Sequence, residues 1–145
     1  MIWGFDGGKL VKGRKRHVGT DTLGMLHGLV VTEANLNDRE GARLVAAQLA
    51  GRSPRLAKFF ADQGFSGEEL ATWLWELGRW ELEIVRGEAG QRGFAVQPKR
   101  WIVERTLAWL LRYRRLSKDY EELPSSSEAM IRIAMIHLML KRLEK

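Results

Sequence analysis

The sequence predicts an α/β fold, a mixed sheet with flanking helices in one domain, and three observations lead there. Strand-like segments alternate with segments of helical period in the order β-β-α-β-α-β-α-α. The first two strand segments are joined by so short a turn that they read as an antiparallel hairpin, which makes the sheet mixed. The 145 residues contain no internal repeat and no long linker, the size of one ordinary domain with a real core.

The elements follow in order. Residues 1–16 read as a basic loop region, with Gly7, Gly8 and Gly13 marking irregular backbone. His17-Val-Gly-Thr-Asp21-Thr22 reads as a strand, Leu23-Gly24 as a turn, and Met25 to Thr32 as a second strand with β-branched residues near its end. Asn37, with Glu40 three residues on, has the form of a capping box opening a helix through Ala42, Val45, Ala46 and Leu49, stopped by Gly51. Leu56 to Ala61 is a short buried strand ending at Asp62. Ser66 and Glu69 form a second capping box for a helix through Leu70, Trp73, Leu74 and Leu77, closed by Gly78. Trp80-Glu-Leu-Glu-Ile-Val85 alternates apolar and polar side chains as a strand does. Arg86 to Gly93 is a polar loop, and Phe94 to Gln97 a short extended piece before Pro98. A long helix runs from about Lys99 to Leu116. Ser125 and Glu128 then cap a last helix, apolar on most of its circumference from Met130 to Leu140, which must pack on a sheet or another helix.

Composition narrows the function. A net charge of +6 and a pI of about 10.0 favour a polyanionic partner, most simply nucleic acid. The charge is clustered: Lys9, Lys12, Arg14, Lys15, Arg16 and His17 form one block, and Arg112, Arg114, Arg115 and Lys118 another. There is no cysteine, hence no disulfide framework and no thiolate metal site. No apolar run approaches the ~20 residues of a membrane span, and Met1 to Asp6 lacks the pattern of a signal peptide. A cytoplasmic protein is expected.

Two carboxylates carry the chemistry. Asp62 sits where a strand ends and a turn containing Gly64 begins, and ligands of open α/β sheets gather at strand carboxyl ends. The plainer reading is a turn-forming Asp. Glu104 shares a helical face with Arg100, Leu107 and Leu111, which places it at the rim of the core. A metal ion or Arg100 would satisfy it there, and spacing does not choose between them. Lys12, Arg14, Lys15 and Arg16 have the charge and reach to contact phosphates, as do Arg100, Arg105, Arg112, Arg114 and Arg115 around Glu104. Asp21 and Asp38 are most simply a turn residue and a first-turn helix acid. His17, His27 and His137 are too scattered for a metal triad. No phosphate-binding glycine loop and no Ser-His-Asp pattern is present.

Longer strings carry a resemblance. Lys12-Gly-Arg-Lys-Arg-His17, Asp21-Thr-Leu-Gly24, Ala34-Asn35 with Asp38-Arg39, Ala61-Asp62-Gln-Gly-Phe65 and Trp80 to Val85 occur in order. They are followed by Pro98-Lys-Arg-Trp-Ile-Val-Glu104-Arg-Thr-Leu-Ala-Trp109 and Arg114-Arg-Leu-Ser-Lys-Asp-Tyr120. Together they resemble a bacterial transposase of the insertion-sequence-5 family over nearly the whole chain. The resemblance implies a ribonuclease-H-like fold and an Asp-Asp-Glu triad that binds Mg²⁺ or Mn²⁺ for cleavage and transfer of DNA strands. Asp62 matches the second Asp, Glu104 the Glu, and Arg100 the Arg one turn before it. Such chemistry uses two divalent ions with oxygen ligands, which needs neither His nor Cys.

One departure matters. The family's first Asp lies on the first strand, upstream of the Lys-Gly-Arg-Lys-Arg-His block. Asp6 matches a position after that strand and Asp21 one in the following hairpin. The chain thus resembles the C-terminal part of a transposase, truncated before the first strand. It is expected to bind metal weakly and to be inactive alone unless an upstream segment or a full-length transposase supplies the strand. The expected partner is DNA, both transposon ends and target. The alternative expectation is a DNA-binding or assembly module that modulates a full-length transposase.

Overall fold

The computed structural model describes residues 3–86 and 99–144. The expected loop at 86–93 and the extended piece at 94–97 lie, apart from Arg86, outside them. The chain forms β1 (Gly4–Asp6), β2 (Val11–Thr20), β3 (Leu26–Glu33), α1 (Asp38–Leu49), β4 (Lys58–Ala61) and a 3₁₀ turn (Gln63–Phe65). It continues with α2 (Glu68–Gly78), β5 (Glu81–Ile84), α3 (Arg100–Leu111), a second 3₁₀ turn (Arg114–Leu116) and α4 (Pro124–Leu143).

The α/β class holds, but the sheet is divided. β1, β2 and β3 form an antiparallel sheet, while β4 and β5 form a separate parallel pair. Among the described residues no ladder joins the two. The expected hairpin is β2–β3, registered Arg14 to Glu33 through Gly19 to Gly28, with an irregularity at Gly19/Thr20.

The basic segment is largely strand, not loop. β2 begins at Val11 and carries the whole of Gly13 to His17. Nonlocal pairing overrides the local loop signals: Lys12 and Gly13 pair with Phe5 and Gly4 of β1, and Arg14 to His17 pair with β3.

Helices cover both faces of the antiparallel sheet. On one side α1 lies close against paired Gly19 and Gly28; a Cβ on Gly28 would come within 2.7 Å of the Val45 side chain. On the other side Leu29 and Val31 of β3 pack with Leu110, Leu116, Ile131, Ala134 and Met135. Leu29 and Ile131 are fully buried, and each such side chain contributes roughly 1.5–3 kcal/mol. A second cluster, Ala46, Leu49, Leu70, Leu74 and Trp80, joins α1 to α2 and the start of β5. Arg43 of α1 adds ion pairs to Glu40 at 2.9 Å and Glu69 at 2.7 Å.

Several helix ends differ from expectation. Asn37 does cap α1, accepting from the Arg39 N–H, but Glu40 turns to Arg43 instead of closing a box. α2 starts after Gly67 with no side-chain cap, because Glu69 is taken by Arg43 and Ser66 ends the 3₁₀ turn. The left-handed residue that ends α2 is Arg79, one past Gly78. α4 starts at Pro124 with no side-chain cap, and Glu128 instead accepts the Val31 N–H of β3 at 2.9 Å. The long helix stops at Leu111, so Arg114 and Arg115 belong to the 3₁₀ turn and not to the helix of Glu104. α4 buries Ser127, Ile131, Ala134 and Met135, while Ile133, Ile136, Leu140 and Leu143 face outward.

Candidate catalytic face and nucleic-acid contacts

Asp62 follows the last residue of β4 in extended conformation and caps the 3₁₀ turn. Its Oδ1 accepts the Gly64 N–H at 3.0 Å, and its carbonyl accepts the Phe65 N–H at 3.1 Å. The turn role is therefore real. It uses one carboxylate oxygen; Oδ2 has no partner among the described residues.

Glu104 lies on the outer side of α3. The buried face of that helix is Ile102, Thr106 and Leu110, four residues apart; Glu104, two residues from Ile102, points the opposite way. The expected face of Leu107 and Leu111 is not the core face, and Leu111 is 53 % exposed. The Glu104 side chain, 64 % exposed, pairs with Arg100 at 3.3 Å. An exposed pair at this helical spacing is worth about 0.3–0.5 kcal/mol, which a cation would readily displace. Just before α3, Lys99 Nζ lies 3.3 Å from the centroid of the Phe60 ring of β4, two residues before Asp62.

These two carboxylates do not by themselves form a metal centre. Among the described residues no group of three or more His, Cys, Asp or Glu side chains is placed to hold an ion. Mg²⁺ demands near-octahedral oxygen coordination, and Asp62 and Glu104 fall short of it. The other candidate acids, Asp6, Asp21 and Asp38, are committed elsewhere. Asp6 accepts the Gly8 and Lys9 N–H groups, and the Lys9 bond above all holds its pKa below the ordinary value. Asp21 accepts the Leu23 and Met25 N–H groups of the β2–β3 turn, and Asp38 pairs with Lys15 at 3.1 Å.

Much of the basic block is engaged inside the protein. The Arg14 side chain is only 1 % exposed; it pairs with Asp119 at 3.1 Å, donates to the Glu121 and Glu122 carbonyls, and stacks over Trp3. Lys15 bonds the Leu36 carbonyl as well as Asp38. Arg16 bonds the Leu116 carbonyl at 3.0 Å, and burial lowers its pKa from the ordinary guanidinium value. Arg115 pairs with Glu121 at 2.7 Å. Lys12, Arg112 and Arg114 are exposed, and among the described residues they have no side-chain partner. The His17 ring meets the Thr32 hydroxyl at 2.8 Å, and burial first of all lowers its pKa below 6.5.

A column of rings and guanidinium groups had escaped the sequence reading. Arg105 lies over Trp101 at 4.3 Å and over Trp109 at 4.6 Å, and Arg142 of α4 covers Trp109 at 4.4 Å. The Trp-x-x-x-Arg-x-x-x-Trp spacing was its signal, since residues four apart on a helix stack. Among the described residues, no helix is long and apolar enough to cross a membrane.

A family profile described as "Transposase DDE domain" matches residues 1–139. A putative transposase for insertion sequence element IS402 from Burkholderia cepacia is 32 % identical over 119 residues, covering 75 % of this chain and 54 % of that protein. The chain thus spans about half the length of this curated relative. No solved structure matches. With the profile covering nearly the whole chain, the protein belongs to the family of transposases that carry a DDE domain.

Proposed function

We propose that this chain supplies two of the three carboxylates, Asp62 and Glu104, for Mg²⁺- or Mn²⁺-dependent cleavage and transfer of DNA strands in transposition. The observation that carries the reading is the match of the transposase DDE-domain profile to residues 1–139; it is supported by Asp62 at the end of β4 and by Glu104 on the exposed side of α3. Each side chain keeps one carboxylate oxygen without a partner among the described residues, and the present partners, a turn N–H and Arg100, are weak competitors for a cation.

The third carboxylate would come on a strand from another transposase segment or a full-length transposase, completing a ribonuclease-H-like sheet. The division between β2–β3 and β4–β5 supports this, since each half leaves a strand edge unpaired among the described residues. The partner is DNA, transposon ends and target, and the place of action is the cytoplasm. Lys12, Arg100, Arg112 and Arg114 are the cations best placed for phosphates. Arg14, Lys15, Arg16, Arg105 and Arg115 serve mainly to hold the surface that presents them, given their internal partners.

A second reading, a DNA-binding or assembly module acting on a full-length transposase, draws on the outward apolar side chains Ile133, Ile136, Leu140 and Leu143 of α4. A strand-transfer assay with terminal-repeat DNA and Mg²⁺ separates the two. Under the first reading the chain is silent alone and gains activity with the complementing segment, lost again in Asp62→Ala. Modulation of a full-length enzyme that is indifferent to Asp62→Ala would favour the second. Robust activity of the chain alone, abolished by Asp62→Ala, would overturn the need for a complement.

A further inference from the structure

We propose that Trp101 is a stacking platform for an unpaired nucleobase of the DNA substrate, an inference that rests on the DNA-processing role above and names a contact for it. Trp101 is 42 % exposed at the start of α3, between Arg100 and the turn that carries Glu104. A partly solvent-facing indole is costly to keep exposed, and here one face of the ring is backed by a cation. One contact is the Arg105 guanidinium at 4.3 Å. Arg105 is itself immobilised, since its Nη2 donates to the Leu23 carbonyl at 3.0 Å and it also lies over Trp109. Arg142 closes the far end of the column on Trp109. The result is an alternating stack, Arg142, Trp109, Arg105, Trp101, whose outer end, among the described residues, is an aromatic ring.

The occupant follows from charge and shape. A planar base extends a stack of planar groups, and alternating Arg and aromatic side chains are the usual means of holding unpaired bases. Arg100, one residue away, would meet the phosphate attached to that base. Trp101 and Glu104 are three apart and so neighbour each other on the helix surface. A base held on Trp101 therefore lies beside the carboxylate that the chemistry uses. A paired duplex offers no free base face, so the contact selects DNA with an unstacked nucleotide near the cleavage point.

The test compares binding of the full chain to a fully paired duplex and to the same duplex with one unpaired nucleotide, at low and moderate salt. The wild type is expected to prefer the second. Trp101→Ala is expected to lose roughly tenfold on the unpaired substrate and nothing on the paired one, and Trp101→Phe to stay near wild type. Unchanged circular dichroism of both variants guards against misfolding. Equal losses on both substrates, or no loss on either, would overturn the stacking role while salt-dependent duplex binding left the DNA-processing reading standing. Absence of any DNA binding at low salt would remove both.

Discussion

The Thr106 hydroxyl donates to the Gly24 carbonyl at 2.8 Å, joining the middle of α3 to the β2–β3 turn across a fully buried contact. Gly24 has φ +83°, and a Cβ there would come within 2.8 Å of the same hydroxyl. Arg105 adds a bond to the Leu23 carbonyl. The turn thereby sets the rotation of α3 about its axis, and with it the outward direction of Glu104.

Thr106→Val should leave the buried Gly24 carbonyl without its side-chain donor and cost about 1–3 kcal/mol of stability. Thr106→Ser keeps the hydroxyl and should cost about 1 kcal/mol for the lost methyl. Urea unfolding of the two variants checks the difference; equal losses would mean the hydrogen bond contributes nothing.

Two cations of the same basic block should behave oppositely. Arg14→Gln removes a buried charge paired with Asp119 and should destabilise the fold by about 3–5 kcal/mol. Lys12→Gln alters an exposed side chain and should change stability by less than about 0.5 kcal/mol. Its effect should appear instead as a shallower salt dependence of DNA binding, by about one unit of slope. Thermal melts and salt titrations of both variants decide this, and a stable Arg14→Gln protein with weakened DNA binding would reverse the assignment.

Burial depresses the His17 pKa in the fold below its ordinary 6.5. The unfolded chain then binds the proton first, so the stability associated with neutral His17 is fully present above pH 6.5. It is lost as pH falls through the folded value. Melting temperature should decline as pH drops below 6.5; Asp6, Glu69 and Glu121, whose pKa values are lowered from carboxylate levels, add their own loss in acid. His17→Gln should flatten the decline near pH 6 and leave the acid limb unchanged.

The parts legible in the sequence were those governed by local pattern. β3, β4, β5 and the bodies of α1 and α2 emerged from apolar spacing, and the turn role of Asp21 from its place before Leu23-Gly24. What was not legible depended on distant partners. Glu69 and Glu128 look like capping-box residues, yet Arg43 and the Val31 N–H claim them. Glycine and charge made Val11 to Arg16 look like a loop, whereas pairing with β1 and β3 makes it a strand and turns Arg14 inward. The face of α3 was misjudged because Leu111 is apolar but exposed, while Thr106, a polar residue, is fully buried by its bond to Gly24. For the site, Asp62 and Glu104 were named from the chain alone; the contact of Lys99, just before α3, with Phe60 of β4 required the fold.

The most direct test of the central claim is strand transfer by the complemented protein carrying Asp62→Asn, Glu104→Gln and both together. If the two carboxylates serve one metal-dependent step, each single variant should fall at least about a hundredfold and the double variant no further, as groups acting as a unit do. Either single variant retaining near-wild-type transfer would contradict the assignment of Asp62 and Glu104 to one catalytic centre.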